Sequence, residues 1–190
     1  MADLILPLHL MPSIDWFLSG VKEGTFRVSV QEPYRKQTER NRYRVAGPNG
    51  IQTLSVPVLA DSARGSLQEV EIAYAEKWIS EHRNAAKAAY GRSPFYEFYD
   101  YRLWDAFDAR PQHLLDLNRE LIVRLHRYLQ LQDLPLMWVD QAPNWDEKQA
   151  SYEPYAQVFE DRHGFQPGLS AVDLLSNLGP LSRDWLSAYL

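Results

Sequence analysis

Short apolar runs separated by turn residues dominate the first third of the chain. The run Leu4 to Leu8 predicts a buried strand, a short helix follows between Pro12 and Gly20, and Thr25 to Val30 predicts a second strand. Two such strands that pair in parallel form a right-handed crossover unit with a cleft at the carboxyl ends of the strands. We expect these residues to face that cleft: His9, Ser13, Asp15 and residues 31–34.

A β-hairpin is predicted next, with arms at Arg40 to Val45 and Gln52 to Val56, because the connecting segment AGPNGI contains an Asn-Gly dipeptide. Side chains alternate along a strand, so Arg40, Arg42 and Arg44 would share one face. Three neighbouring guanidinium groups repel one another unless anions or carboxylates compensate them, and their shape matches phosphate and carboxylate groups. Two interpretations therefore compete: a site for an anionic ligand, or edge arginines that discourage strand pairing.

From residue 76 onwards, the apolar residues recur every three or four positions. This spacing predicts helices from Glu76 to the residue before Gly91, from about Pro94 to Phe107, and from His113 to Leu129. Two short apolar runs are candidate strands: Val70 to Tyr74 and Leu136 to Val139.

The last part of the chain predicts a long loop followed by a helix. Asp140 to Glu153 is a long polar loop, and loops of this length often act as lids. Ser170 and Asp173 form a capping box for a final helix before Gly179. The elements together predict a mixed α/β fold, in which an N-terminal βαβ unit and hairpin sheet pack with a C-terminal helical half. We expect a single compact domain over residues 1–190, strand-rich over 1–75 and helix-rich over 76–190.

Composition narrows the function classes. Acidic residues outnumber basic ones by 25 to 20, which argues against a broad electropositive surface for nucleic acid. The chain has no cysteine, so disulfides, thiolate nucleophiles and cysteine zinc sites are excluded. Its first 17 residues resemble neither a signal peptide nor a membrane span, and we expect a cytoplasmic protein. No HxxxH or HExxH pair and no GxxxxGK or GxGxxG loop occurs, and we expect no metal and no cofactor. The nucleophile-elbow motif GxSxG is also absent, so a Ser-His-Asp triad cannot be argued.

Two histidines are candidates for proton transfer. His82 lies on an apolar helix stripe, where a hydrogen-bonded core histidine is the alternative to a base or ligand. His9 follows the first predicted strand, where a loop histidine is the alternative to a general acid or base. Asp15 and Glu32 flank the predicted cleft and could accept protons, although pairing with the arginines is favoured. The side chain of Asp173 is most simply a helix cap.

Several ordered blocks of this sequence are similar to the WbqC-like proteins, a bacterial family tied to surface-polysaccharide genes. Over nearly the full length, the matching blocks are HLMPSIDWF, YRKQTERNR, QTLSVPV, Trp78 with His82 and then Tyr90-x-x-Ser-Pro, LLDLN, and YAQVFEDRHGFQPGLSAVDLLSNLGP. Departures are also visible: His9 and Glu39 replace tyrosines, Ser176 replaces a phenylalanine, and Leu178 replaces a glutamate of the family pattern.

The resemblance implies an activity and a set of site residues. The activity is transfer of an aminoacyl group, such as glycine, to a sugar. The implied site includes His82, which together with His9 is a candidate for moving a proton. The candidate substrate-binding residues are Tyr34, from the predicted cleft, and Lys36, Gln37, Arg40, Asn41, Arg42, Gln157, Asp173 and Asn177.

Two functional hypotheses follow. The first is an enzyme that transfers an acyl or aminoacyl group to an amino sugar or sugar nucleotide during surface-polysaccharide (O-antigen) biosynthesis. Its partner would be an anionic small molecule, such as a sugar nucleotide or a phosphorylated or carboxylated donor. The second is a non-catalytic module that recognises an anionic glycan precursor or a partner protein, and Leu178 in place of the family glutamate keeps this alternative open.

Overall fold

The computed structural model describes residues 3–146 and 152–189. It is a mixed α/β protein, which confirms the predicted fold class. The strands are β1 (Phe26–Ser29), β2 (Arg42–Gly47), β3 (Gly50–Ser55) and β4 (Leu136–Val139). The α-helices are α1 (Ile14–Glu23), α2 (Trp78–Tyr90), α3 (Tyr96–Asp108), α4 (Leu114–Tyr128), α5 (Glu160–His163), α6 (Ala171–Leu178) and α7 (Ser182–Ser187), with 3-10 turns at Leu67–Glu69 and Gly179–Leu181.

A small parallel sheet organises the N-terminal end of the chain. β1 pairs in parallel with β4, and Leu6 forms a parallel bridge to Val28 on the other side of β1. The backbone N–H of Leu6 donates to Arg27 at 2.8 Å, and that of Ser29 donates to Leu6 at 2.9 Å. The parallel pairing expected for the crossover unit is present, but the first strand shrinks to one bridge, since the Leu8 N–H, the next group that could continue the ladder, donates to the Glu32 carboxylate instead.

Helix α1 connects Leu6 to β1 and extends beyond its predicted end. The Ser13 side chain caps its first turn by accepting from the Trp16 N–H at 3.3 Å, and Gly24 ends it in the left-handed region at φ 73°. Gly20 was predicted as the stop, which is wrong. It lies inside the helix, and the Phe26 ring occupies the space that a Cβ at position 20 would need, so packing rather than helix termination requires glycine there.

The hairpin differs from its prediction in where β2 begins. β2 and β3 pair antiparallel from Arg42 opposite Ser55 to Gly47 opposite Gly50. Arg40 lies before the strand, in a turn where the Asn41 N–H donates to the Thr38 carbonyl at 3.2 Å. The prediction that Arg40 shares a strand face with the two later arginines is therefore wrong.

The helical half agrees with the sequence pattern within a few residues. α2, α3 and α4 each bury an apolar stripe, and their residues join one core with the N-terminal half. Residues 70–74 form bridges rather than a strand, at Ile72 with Val58 and Glu71 with His113. The largest fully buried side chains of this core include Trp16, Phe17, Phe26, Tyr43, Tyr90 and Phe107.

Ser170 caps α6 as predicted, but Asp173 does not complete the capping box. The Ser170 hydroxyl accepts from the Val172 N–H at 3.4 Å, and the Ser170 N–H donates to the Arg44 carbonyl at 3.0 Å. In a capping box, the Asp173 side chain would accept from the Ser170 N–H. Because that N–H already donates to Arg44, the bond cannot form. The carboxylate of Asp173 turns instead into a buried polar cluster.

Candidate functional site

A cleft of about 420 Å³ opens at the carboxyl ends of the parallel segments, where the crossover topology predicts one. We call it the His9 cleft. Its lining comes from the segments that follow Leu6, β1 and β4, together with the turn that carries Arg40. The lining residues are Pro7, His9, Glu32, Pro33, Arg35, Arg40, Ala142, Pro143 and Trp145.

An ion pair between Arg40 and Glu32 forms one wall of the His9 cleft. The Glu32 carboxylate is buried, accepts the Leu8 N–H at 2.9 Å and pairs with the Arg40 guanidinium. The Arg40 carbonyl accepts from the Asn118 amide at 2.8 Å, which fixes the backbone of the same residue. The predicted pairing of Glu32 with an arginine is confirmed. Since a carboxylate offsets the charge of Arg40, this side chain is a positioned donor rather than a free cation.

His9 lies in the same cleft wall and has an unsatisfied nitrogen. The residue is 5% exposed, and its Nδ1 has no hydrogen-bond partner among the described residues. Burial and, to a smaller extent, the positive charges of Arg40 and Arg44 together lower the pKa of His9 to about 3. The ring is therefore neutral at physiological pH. A buried nitrogen without a partner calls for an explanation, and a ligand or a catalytic role supplies one.

The opposite wall of the His9 cleft is pinned to the N-terminal segment. Asn144 accepts the Ile5 N–H through its side chain at 2.8 Å and donates its own N–H to the Ile5 carbonyl at 3.1 Å. The Trp145 indole donates to Ser19 at 2.9 Å, and its ring meets His9 edge-on with centroids 5.7 Å apart. Residues 140–146 of the predicted lid are thus held in place, while residues 147–151 lie outside the described part.

Trp145 and Arg35 complete the cleft, although neither is among the predicted substrate-binding residues. Arg35 is exposed, and its guanidinium has no ion pair or hydrogen bond within the described residues. An aromatic ring beside cationic groups can stack on a base or a sugar face. The signal that could have identified Trp145 is its position as a large apolar residue within a polar loop.

Residues 34–42, which carry most of the predicted ligand-binding side chains, are divided by the fold. Lys36 and Gln37 lie in an exposed turn, where Gln37 has φ 62°. Asn41 is buried and donates to the Val56 carbonyl at 2.9 Å, while its Oδ1 has no partner among the described residues. Arg42 is half-buried in β2. Of the predicted ligand-binding residues in this stretch, Arg40 lines the His9 cleft, whereas Tyr34, Lys36, Gln37, Asn41 and Arg42 do not.

His82 occupies a different environment, in the core beneath the hairpin. Its Nε2 donates to the Ser55 carbonyl at 3.1 Å, which leaves Nδ1 to accept from the Tyr43 hydroxyl at 3.3 Å. The ring packs edge-on against Trp78, with centroids 5.2 Å apart. Burial lowers the pKa of His82 to about 4. Both nitrogens are engaged within the fold, and a catalytic role for this residue remains a prediction.

Gln157, Asp173 and Asn177 come together in a second polar cluster. The Asp173 carboxylate accepts from the Tyr155 hydroxyl at 2.5 Å and from the Gln157 amide at 2.9 Å. The Asn177 amide donates to the Asp173 carbonyl at 2.8 Å. Burial raises the pKa of Asp173 to about 6, against the opposing effect of these hydrogen bonds. None of the three residues lines the His9 cleft.

Within residues 3–146 and 152–189, no group of three or more histidine or carboxylate side chains is placed to hold a metal ion. Over the same ranges, no helix is both long and apolar enough to cross a membrane.

Comparison with known proteins supports the resemblance described from the sequence. The model of the WbqC-like protein family matches residues 9–149, which include the His9 cleft residues from His9 to Trp145. The similar block at residues 155–180 lies beyond that match, so the coverage is smaller than the resemblance suggested. No curated protein and no solved structure matches the chain. The family match spans well over half of the sequence, and the chain belongs to the WbqC-like protein family.

Proposed function

We propose that this protein is a bacterial group-transfer enzyme that moves an acyl or aminoacyl group onto an amino sugar or sugar nucleotide in surface-polysaccharide biosynthesis. The reaction would take place in the cytoplasm, and the His9 cleft would hold an anionic substrate. The observation that carries the proposal is the meeting of Arg35, Arg40 and His9 in one cleft at the carboxyl ends of parallel strands, with a His9 Nδ1 that has no partner among the described residues.

Charge supports an anionic substrate. Arg40 is compensated by Glu32, but Arg35 at the same cleft has no partner among the described residues. His9 is neutral at physiological pH because burial lowers its pKa to about 3. The charged groups of the lining are therefore two guanidinium groups and one carboxylate, an excess of one positive charge. A phosphate or carboxylate would neutralise that excess and could form charge-assisted hydrogen bonds to Arg35.

The chemistry would depend on positioning. In the proposed step the amine nitrogen of the acceptor attacks the carbonyl carbon of the donor, and a new N–C bond forms. The bond to the leaving group breaks, and the leaving group departs with the electron pair. The amine loses its proton to His9 or to water. In such a reaction the rate enhancement comes from holding the two reactants together and from hydrogen bonds to the developing charge, without a covalent bond between substrate and enzyme.

The alternative is a module that binds the same anionic ligand without turnover. One observation favours it: a histidine whose pKa is lowered to about 3 is a weak proton acceptor. A bound anion next to His9 would raise that pKa again, because it would offset the positive charges of Arg40 and Arg44. Turnover therefore separates the two functions, whereas binding alone does not.

The test is a panel of nucleotide sugars and aminoacyl donors, followed by calorimetry for binding and mass spectrometry for product. We expect Arg35→Ala to weaken binding of the active compounds and His9→Gln to remove product while binding is retained. Arg92→Ala is the matched control, because Arg92 is exposed and lines none of the described pockets. Binding that is unaffected by Arg35→Ala would contradict the site. Binding without product from any donor would favour the module.

A further inference from the structure

A second depression adjoins the His9 cleft and shares two residues with it. It has a volume of about 570 Å³ and is lined by Gln31, Glu32, Pro33, Arg64, Gly65, Ser66 and Gln68. We call it the Arg64 depression. Glu32 and Pro33 line both spaces, so the two are separated by little more than the exposed Pro33. The depressions around Tyr99 and around Tyr74 share no lining residue with the His9 cleft.

The loop that carries Arg64 is bound to the same backbone that forms the cleft wall. The Tyr34 N–H donates to the Gly65 carbonyl at 3.1 Å, and the Leu67 N–H donates to the Glu32 carbonyl at 2.9 Å. The Gln68 amide donates to the Val30 carbonyl at 3.0 Å. The Arg64 loop and the His9 cleft therefore keep a fixed relation to each other through residues 30–34.

The free polar groups of the Arg64 depression suit an anion. Arg64 is exposed, and its guanidinium has no ion pair or hydrogen bond within the described residues. The Ser66 hydroxyl accepts from the Gln68 N–H at 3.3 Å, which leaves its own O–H able to donate. The shared carboxylate of Glu32 is already paired with Arg40, and the exposed Glu69, whose carboxylate lies beside Gly65, forms no ion pair with Arg64. The Arg64 guanidinium therefore keeps its hydrogen-bond donors available for a ligand.

A transfer reaction requires two substrates whose reacting atoms approach to about 3–3.5 Å, so their binding sites must adjoin. We propose that the Arg64 depression binds the second substrate of the transfer, an anionic molecule whose phosphate or carboxylate is held by Arg64 and the Ser66 hydroxyl. This inference rests on the function proposed for the His9 cleft. One substrate would bind in the His9 cleft and the other in the Arg64 depression, and their reacting groups would meet above Pro33, which lines both spaces.

The test uses inorganic phosphate as the probe and nuclear magnetic resonance of the ¹⁵N-labelled full chain as the readout. The backbone amides of Gly65 and Ser66 report on the Arg64 depression, and the indole N–H of Trp145 reports on the His9 cleft. In the native protein we expect both sets of signals to shift on titration. Arg64→Ala should weaken the response of the two backbone amides about tenfold and leave the Trp145 response within about twofold, because one charge-assisted contact is lost.

Matched variants and a second probe make the result decisive. Arg64→Lys, which keeps the charge, should recover part of the affinity, and Arg92→Ala should change neither response. Titration with acetate shows whether the site prefers a carboxylate to a phosphate, and either preference supports an anionic substrate.

Three outcomes would overturn the proposal: Gly65 and Ser66 respond to neither anion, Arg64→Ala leaves their response unchanged, or Arg92→Ala weakens it equally. If the amide signals of Gly65 and Ser66 shift on titration but the indole signal of Trp145 does not, the result would instead contradict the His9 cleft as the site of the proposed function. The two ideas therefore fail in different ways.

Discussion

His9 and His82 are both buried histidines with lowered pKa values, yet their surroundings differ. His82 donates to Ser55 and accepts from Tyr43, so both of its nitrogens are satisfied within the core. His9 lines a cleft and has an Nδ1 with no partner among the described residues. Burial and lowered pKa values alone would not distinguish His9 from His82. Hydrogen-bond partners separate them: one ring completes a packed core, and the other leaves bonding capacity next to a space that a ligand can enter.

The largest effect is expected at the ion pair of the cleft. Glu32→Gln leaves the Arg40 charge without its buried partner, and we expect a loss of about 3 kcal/mol in the free energy of unfolding. Urea unfolding measures this loss. The matched control is Asp108→Asn, which breaks the exposed pair with Arg83 and should cost less than about 1 kcal/mol. Equal losses in the two variants would contradict the structural importance of the cleft pair.

The next effect separates the two histidines directly. His82→Ala removes two hydrogen bonds and the packing against Trp78, so we expect a loss of about 2–3 kcal/mol in unfolding free energy. The affinity for phosphate at the His9 cleft should not change. His9→Ala should cost about 1 kcal/mol and reduce that affinity. Urea unfolding and calorimetry of both variants provide the comparison. A larger loss of stability in His9→Ala, together with a loss of phosphate affinity in His82→Ala, would show that the assignment of the two histidines to cleft and core is wrong.

Both histidines should also make the free energy of unfolding depend on pH, each over its own range. Folding lowers the pKa of His82 from 6.5 to about 4, so the unfolded state takes up the proton first as the pH falls. The stabilising contribution of this residue is complete above pH 6.5 and is lost from there down to about pH 4. The stability gap between the native protein and His82→Ala should therefore narrow by up to about 1.4 kcal/mol per pH unit over this window.

For His9→Ala the corresponding window extends to about pH 3. The raised pKa of Asp173 acts in the opposite direction, since it favours folding as the pH falls, but it cancels when two variants are compared at each pH. Urea unfolding at half-unit steps of pH provides the data. A gap that is constant between pH 7 and pH 5 would contradict the lowered pKa values.

The smallest effect concerns Arg35. This side chain is exposed and has no partner among the described residues, so Arg35→Ala should change the unfolding free energy by less than about 0.5 kcal/mol. Its effect on phosphate affinity at the His9 cleft should be about threefold to tenfold, as expected for one charge-assisted contact. Calorimetry measures the affinity. A loss of stability without a loss of affinity would assign Arg35 to the fold rather than to the site.

Much of the fold could be predicted from local patterns. The apolar spacing located α2, α3 and α4, and the crossover rule located the cleft, because these features depend on short-range periodicity and on chain handedness. The error at Arg40 has a physical reason. A run of alternating residues does not reveal where a turn ends and a strand begins, and here Arg40 lies in the turn before β2, where it pairs with the buried Glu32.

The site was less accessible from sequence because it is built by distant segments. Glu32 was recognised as a pairing candidate, but Trp145 becomes part of the cleft only through hydrogen bonds from residues 144 and 145 to Ile5 and Ser19. Local signals carry no information about such contacts. The roles of Lys36, Gln37 and Asn177 in ligand binding remain predictions.

The attachment of Asn144 to Ile5 joins residues 139 positions apart. During synthesis, a chain that has emerged only as far as α3 already contains His9, Glu32 and both cleft arginines, but it has no aromatic wall opposite them. Contacts of such long sequence separation form only after the intervening segments have condensed. The aromatic wall of the His9 cleft therefore forms only after residue 145 has been synthesised, and a shorter nascent chain would carry the cleft cations without it.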